Sequence, residues 1–338
     1  MKSKRLIIAG MGSIGLRHAR LYSALPGLNV EICDSREAGL HEARALLPNA
    51  PQWRDYSAAI ASRPDYVLIA TPHQAHAEMA CLALENGCRV LCEKPMSHHL
   101  DEASQMTSCA QETGSPLAIG FHLRFHPSVV RLRAMLQSGE AGDLIFIRYR
   151  VDSLVTLENS RSRYQTHLPG ALLMDYSHGL DLLHHLLGKP PERIFAQGVA
   201  GEIAGYSANP LVFDALFSYP SLQAELHLSY TGKPEVHCVE VTTSKFNIRL
   251  ELNSGTFVRH QVADGTCEDL SFPFERDALY LAQWQAFQDF CDGLPSQICS
   301  AEQALETNRI MARLIDLLER DPEPASSSIF PAIQLSCS

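Results

Sequence analysis

Three short stretches combine reactive side chains with spacings that chemistry can use. Gly10-Met-Gly12-Ser13-Ile14-Gly15 sits between an apolar run and a helical pattern. Glycines there allow a tight turn and the close approach of a pyrophosphate, which would rest on free N–H groups at a helix start; a plain glycine turn packing helix on strand is the alternative. Cys92-Glu93-Lys94-Pro95 ends another apolar run, and Lys94 is one of only six lysines in the chain. An ammonium at that edge could hydrogen-bond a substrate oxygen, or it could belong to an exposed Glu-Lys pair before a helix-starting proline. Asp175-Tyr-Ser-His178-Gly-Leu-Asp181 opens a third stretch. At about 100° per residue, His178, Asp181 and His185 share one polar stripe, with Leu182, Leu183 and Leu186 on the apolar side. A histidine among carboxylates can move protons, bind metal or simply be a hydrogen-bonded structural group.

Around these stand further candidates. Asp34 ends the second apolar run, 19 residues beyond Gly15, where a carboxylate can accept from an adenine-ribose diol and disfavour a 2′-phosphate. NAD is therefore the expected cofactor, although Arg36 directly after it could instead hold the phosphate of NADP. His122 and Arg124 lie in the segment GFHLRFHP after another strand, and Arg161, Arg163 and Tyr164 are also candidates for lining a substrate pocket. An arginine in such a place could hold an anionic or polyhydroxylated ligand, or pair with a nearby acid.

Positioning these groups requires a particular framework. Leu6 to Ala9, Val30 to Cys33, Tyr66 to Ala70, Val90 to Cys92 and Leu117 to Ile119 read as buried strands. Helical stretches at Ile14 to Ser23, Ala38 to Leu47, His76 to Asn86 and Leu100 to Thr113 alternate with them, which predicts a parallel sheet covered on both faces. Leu222 to Leu228 and Phe246 to Leu252 instead alternate apolar with polar residues, the period of antiparallel strands with one wet face. Helices are expected at about Asp175 to Leu187, Leu279 to Cys291 and Ala301 to Glu319. The expected fold class is thus α/β: a dinucleotide-binding domain over 1–121, then a domain over 122–320 with a large, mainly antiparallel sheet, one face of which is left to water or to another subunit. Residues 321–338 lack periodicity and read as a poorly ordered tail.

Composition narrows the function classes. The 338 residues suffice for about two domains, and 46% hydrophobic, 20% charged and a mean hydropathy of −0.07 are ordinary globular values. A net charge of −10 is the wrong sign for wrapping nucleic acid, and no apolar run is long enough to span a bilayer. Ten cysteines show no CxxC pair and no regular framework, so free thiols and a cytoplasmic location are expected.

As a set, GMGSIG, YVLIATPHQAH (66–76), EKP (93–95), GFHLRFHP (120–127) and GALLMDYSHGLDLLHHLLG (170–188) resemble the glucose-fructose oxidoreductase and inositol dehydrogenase (Gfo/Idh/MocA) family. The resemblance covers roughly residues 4 to 320. It implies an NAD(P)-dependent enzyme acting on CH–OH groups of a sugar, cyclitol or related polyol. It further implies cofactor contacts at Thr71, Pro72, His76, Glu93 and Lys94, and a cis Lys94-Pro95 peptide. Of the candidate substrate contacts, Lys94 and His178 are carried over from the resemblance, while His122, Arg124, Tyr164 and Asp175 are candidates read from the sequence. The resemblance also implies that 122–320 is the substrate-binding and oligomerisation domain, forming homodimers or homotetramers through the second sheet. Two departures stand out: Asp175 and His178 are three apart where the family often spaces them by four, and His122 replaces a frequent asparagine.

On this reading His178 accepts the hydroxyl proton, Lys94 stabilises the developing alkoxide, and Asp175 orients the substrate or the imidazole. No resident metal is expected. The alternatives are a non-catalytic dinucleotide-binding sensor, against which Lys94 and His178 argue, an NAD-dependent glycosidase using the same residues, and a metal hydrolase built on Asp175, His178 and Asp181, which would leave the glycine loop without a use.

Overall fold

The computed structural model describes residues 3–160, 164–166 and 168–319; Arg161, Arg163 and the tail expectation for 321–338 lie outside them. The first half runs β1 (Lys4–Ala9), α1 (Ser13–Tyr22), β2 (Leu28–Cys33), α2 (Glu37–Leu46), β3 (Gln52–Trp53), α3 (Tyr56–Ala61), β4 (Tyr66–Ile69), α4 (His76–Glu85), β5 (Arg89–Glu93), α5 (Leu100–Thr113) and β6 (Leu117–Gly120). Leu6, Ile7 and Ile8 are all fully buried, as they must be in a strand covered on both faces. β1 to β6 are parallel in the order 3-2-1-4-5-6, the doubly wound arrangement whose direction of winding reverses between β1 and β4. Chain ends beside that reversal leave a crevice, and the glycine loop occupies it. Two glycines there are obligatory. A Cβ on Gly10, whose φ is +93°, would come within 2.6 Å of the Ala70 carbonyl oxygen, and one on Gly15 within 1.8 Å of the Gly10 oxygen.

The second half continues with α6 (Pro127–Gln137), β7 (Leu144–Asp152), α7 (Val155–Asn159), α8 (Ala171–Asp175), α9 (Ser177–Leu187), β8 (Arg193–Ile203), β9 (Tyr206–Ser218), β10 (Gln223–Ser229), β11 (Val236–Thr243), β12 (Phe246–Glu251), β13 (Thr256–Gln261) and β14 (Cys267–Asp269). Its eight strands lie in the order 14-13-12-11-7-10-9-8, antiparallel except where β7 meets β10. α8, α9 and the long C-terminal helix pack on one face of this sheet, over a core that includes Tyr149, Leu226 and Phe213.

The structure corrects the single helix expected over Asp175 to Leu187. Gly170 at φ +74° starts α8, and Tyr176 at φ −104°, ψ 27° separates it from α9, so Asp175 closes one helix while His178 lies in the next. β3 and α3 were not foreseen, because two residues of strand and six of helix are too short to show a period. The last elements, α10 (Arg276–Cys291), β15 (Cys299–Ser300) and α11 (Ala301–Glu319), return to the first sheet. β15 pairs antiparallel with β6, Trp284 and Phe287 of α10 join the core around β1, and α11 packs on α5 as well as on α9. α10 therefore closes one wall of the space between the sheets.

Candidate active site

A continuous cleft of about 1530 Å³ runs from the glycine loop to the second sheet. Single-ligand pockets usually measure about 300–1,000 Å³, so this one has room for a cofactor and a substrate together. Its outer end is lined by Gly10, Gly12, Ser13, Ile14, Asp34, Arg36, Thr71 and Pro72. Gly12, at the N-terminal boundary of α1, has open space where a Cβ would stand, and no side chain caps the helix. That leaves main-chain N–H groups facing a hollow, the environment a pyrophosphate requires. Gly15 does not line the cleft; it holds α1 against the loop.

Asp34 accepts from the Met11 main chain at 2.7 Å and from the Arg36 main chain at 2.8 Å, while the Arg36 guanidinium lies against both carboxylate oxygens at 3.1 and 2.9 Å. Burial alone would raise its pKa, but these hydrogen bonds keep it below the ordinary carboxylate value. Arg36 and Asp34 are thus one pair at the mouth of the cleft rather than two independent readers of the ribose. His76 is buried and does not line the cleft. Its ring lies 3.0 Å from both the Thr71 and the Pro95 carbonyl oxygens, tying the loop after β4 to the segment after β5.

At the inner end, the Lys94-Pro95 peptide is cis, and the Lys94 Nζ donates to the main-chain oxygen of Asp175 at 2.9 Å. Glu93 just before it is buried, 2.8 Å from the His18 Nε2 of α1. Burial would push its carboxyl up, but the His18 contact outweighs this and holds it ionised. His178 is 8% exposed, and neither of its ring nitrogens has a hydrogen-bond partner among the described residues. Burial, then neighbouring His122 and the Lys94 charge, lower its pKa well below the usual value, so it is neutral at pH 7. The His122 ring meets it edge-on at 4.6 Å and stacks on Tyr280 of α10, also at 4.6 Å.

Asp175 has no freedom to act as a loose base. Its carboxylate accepts from the Tyr230 hydroxyl at 2.6 Å, from Gln165 at 3.1 Å and from Tyr164. Tyr164 therefore reaches the site through Asp175. Arg124, expected among substrate contacts, is a correction. Its side chain is 1% exposed and grips Asp181, itself fully buried, through Nε at 2.9 Å and through Nη2 at 2.6 Å. The polar stripe of α9 thus divides, His178 lining the cleft and Asp181 neutralising a buried cation. Among the described residues, no group of three or more His, Cys, Asp or Glu side chains could hold a metal ion.

His237, Tyr280, Arg276, Glu235 and Asn253 also line the cleft. His237 lies 2.7 Å from the Tyr149 hydroxyl, and burial, followed by nearby His126 and Arg276, lowers its pKa to about 4. None carried a local signal except the alternation of β11, which shows which residues share a face but not what faces them.

Residues 4–121 match the family profile described as "Oxidoreductase family, NAD-binding Rossmann fold", and residues 129–249 match "GFO/IDH/MocA C-terminal domain". The chain belongs to the Gfo/Idh/MocA oxidoreductase family. A D-glucoside 3-dehydrogenase of Escherichia coli strain K12 is 36% identical over 146 residues, covering 41% of this chain and 41% of that one. An inositol 2-dehydrogenase of Corynebacterium glutamicum strain R is 33% identical over 153 residues, covering 44% and 45%. Alignment thus spans less than half of either relative. Among solved structures, a UDP-N-acetylglucosamine 3-dehydrogenase from Acidithiobacillus ferrooxidans superposes with a TM-score of 0.79 at 23% identity, covering 94% of this chain and 98% of that one. An oxidoreductase from Agrobacterium radiobacter, in complex with NAD+, L-tartaric acid and magnesium, gives 0.82 at 18% identity, covering 95% and 97%. These show that the fold shared with those structures extends over nearly the whole chain. The fold class expected from sequence, a Rossmann domain followed by a mainly antiparallel α/β domain, is the one found.

Proposed function

We propose that this family member is an NAD-dependent dehydrogenase that oxidises a carbinol of a sugar, cyclitol or related polyol to a carbonyl. The observation that carries the reading is convergence: Lys94 from the first sheet and neutral, unpartnered His178 from α9 line the same cleft as the glycine loop. The residues fit NAD, since Gly12 leaves the space a pyrophosphate needs and Asp34 stands where a ribose diol would be read. Bound NAD would supply the two-electron acceptor, taking the carbinol hydrogen with its electron pair at the nicotinamide ring.

The protein's own part is proton handling and orientation. An imidazole held neutral can take the hydroxyl proton, and the Lys94 ammonium can hydrogen-bond the same oxygen as negative charge develops there. Asp175 acts as a positioning residue, its main-chain oxygen holding Lys94 while the Tyr164, Gln165 and Tyr230 contacts fix its carboxylate. His18 and Glu93 brace the strand end from which Lys94 projects. Glucoside and inositol dehydrogenases among the relatives support a polyhydroxylated substrate.

Assembly through the second sheet belongs to the same proposal. On the face opposite α8, α9 and α11, the register aligns Phe195, Leu216, Glu225, Arg148, Glu240 and Arg249 in one row. Phe195 is 58% and nearby Val199 57% exposed, a patch suited to a second copy of the chain. The described cysteines are free thiols, which suits a cytoplasmic location, and no described helix is long and apolar enough to cross a membrane.

The test is reduction of NAD by the purified protein with a panel of aldoses, glycosides, inositols and sugar acids. Turnover of any of them that is lost in His178→Ala supports the reading. Release of an aglycone from glycosides without net NADH would favour the glycosidase alternative, and tight NAD binding with no turnover across the panel would favour a sensor.

A further inference from the structure

Three carboxylates, Glu93, Asp175 and Glu235, and two cations, Lys94 and Arg276, line the inner end of the cleft, and they differ in what holds them. Glu93 is held by His18, Asp175 by two tyrosines and a glutamine, and Glu235 by Asn253 at 3.2 Å. Of the cations, Lys94 donates to the Asp175 main chain. The Arg276 side chain, exposed on the cleft wall, lines the same space and makes no side-chain hydrogen bond or ion pair among the described residues.

Its position follows from the helix that carries it. Arg276 is the first residue of α10, and Tyr280 lies four residues on, hence on the same face one turn away. Tyr280 stacks on His122, which in turn meets His178. Side chains of a helix lean toward its N-terminus, so the guanidinium lies beyond Tyr280 on the wall that already carries the candidate base. The positive charge of Arg276 is also one of the influences that keep His122, His178 and His237 neutral. Its neighbour Asp277 cannot serve as its counter-ion, because that carboxylate is engaged by Arg17 and Arg20 of α1.

A guanidinium presents a planar fork that matches two oxygens of a carboxylate or phosphate, and such bidentate pairs are the strong, specific ones. We infer that Arg276 receives an anionic substituent of the substrate, a carboxylate or phosphate group, making this enzyme selective for an acidic sugar or polyol over its neutral counterpart. The inference rests on the dehydrogenase reading for its substrate class and adds a residue that sets specificity. Two groups would then divide the work: Lys94 and His178 act on the reacting carbinol, while Arg276 fixes the far end and so decides which carbinol meets them.

The experiment compares D-glucuronate and D-galacturonate, D-glucose 6-phosphate, and neutral D-glucose and myo-inositol, each with the NAD-loaded protein, in wild type, Arg276→Gln and Arg276→Lys. Binding is read by calorimetry and turnover by NADH formation. The expected result is about 100-fold better kcat/KM or affinity for one anionic class over the neutral sugars. That advantage should fall at least about 10-fold in Arg276→Gln, mainly through KM, and be partly kept in Arg276→Lys, with NAD affinity unchanged. Uronates preferred over the phosphate would identify the carboxylate as the ligand, and the reverse the phosphate. Neutral sugars turned over as well as anionic ones would overturn the inference and leave the dehydrogenase reading intact. A large loss of NAD affinity in Arg276→Gln would overturn it too, assigning the guanidinium to the cofactor. Arg276-dependent binding of anionic sugars without any NADH would support the inference while sinking the dehydrogenase reading; no binding and no turnover of any anionic probe would overturn the inference.

Discussion

The Lys94 ammonium, at the end of β5, is hydrogen-bonded at 2.9 Å to the main-chain oxygen of Asp175, at the end of α8 in the other half of the molecule. One contact thus joins the strand edge that carries the expected electrophile to the helix boundary that precedes the expected base. Because the acceptor is main chain, this link survives changes to the Asp175 carboxylate.

Removing either reacting group should lower kcat far more than it weakens NAD binding, since both interactions strengthen as charge develops. His178→Ala is expected to lose about 10²–10⁴-fold and Lys94→Ala about 10²–10³-fold in kcat. Asp175→Asn should be milder than Lys94→Ala, because the carbonyl that holds Lys94 remains. Single-turnover kinetics on folded variants would check the order; wild-type rates in His178→Ala would remove it from the reaction.

Cofactor choice should follow Asp34. With its carboxylate held below the usual range by Arg36 and by the Met11 and Arg36 main chains, it remains an acceptor at neutral pH. Asp34→Ala is expected to weaken NAD binding about 10-fold, the worth of roughly one charge-assisted hydrogen bond of about 1.5 kcal/mol. Titration of both cofactors tests it, and tighter binding of NADP to wild type, lost in Arg36→Ala, would reverse the assignment.

Buried neutral histidines should make the fold acid-sensitive. Burial lowers His237 to about 4 and His122 to about 3, whereas both return to the ordinary value near 6.5 on unfolding. Between those values the unfolded chain binds the extra protons, so stability is full above about pH 6.5 and falls as pH drops toward the native values. Each histidine contributes up to about 1.4 kcal/mol per pH unit over that window. Denaturant melts at a series of pH values would show a shallower acid slope in His237→Gln; an unchanged slope would contradict the burial argument.

Breaking the internal ion pair should be costly. Arg124→Met strands the fully buried Asp181 carboxylate and is expected to cost about 3–5 kcal/mol. Arg124→Met with Asp181→Leu should recover much of that, because no unpaired charge is then left inside. Chemical denaturation of the single and double variants measures the difference.

Repeating, local patterns were legible in the sequence. Buried apolar runs alternating with helices define a doubly wound sheet, and glycines where a Cβ would strike the main chain mark the cofactor loop. These signals survive in one dimension because strand burial and turn sterics depend on near neighbours. Side-chain partners depend on distant ones. Arg124 looked like a ligand contact until Asp181, 57 residues on, proved to be its counter-ion. His122 and Arg276 share a wall only because α10 returns from the far end of the chain, and Asp175 is caged by a tyrosine 55 residues away. Residue types limit what each group can do, while the packing of the two halves decides which charges are already neutralised. That is why Lys94 and His178 could be singled out as candidates from sequence, and why Arg276, exposed on the wall of the same cleft, could be found only in the folded chain.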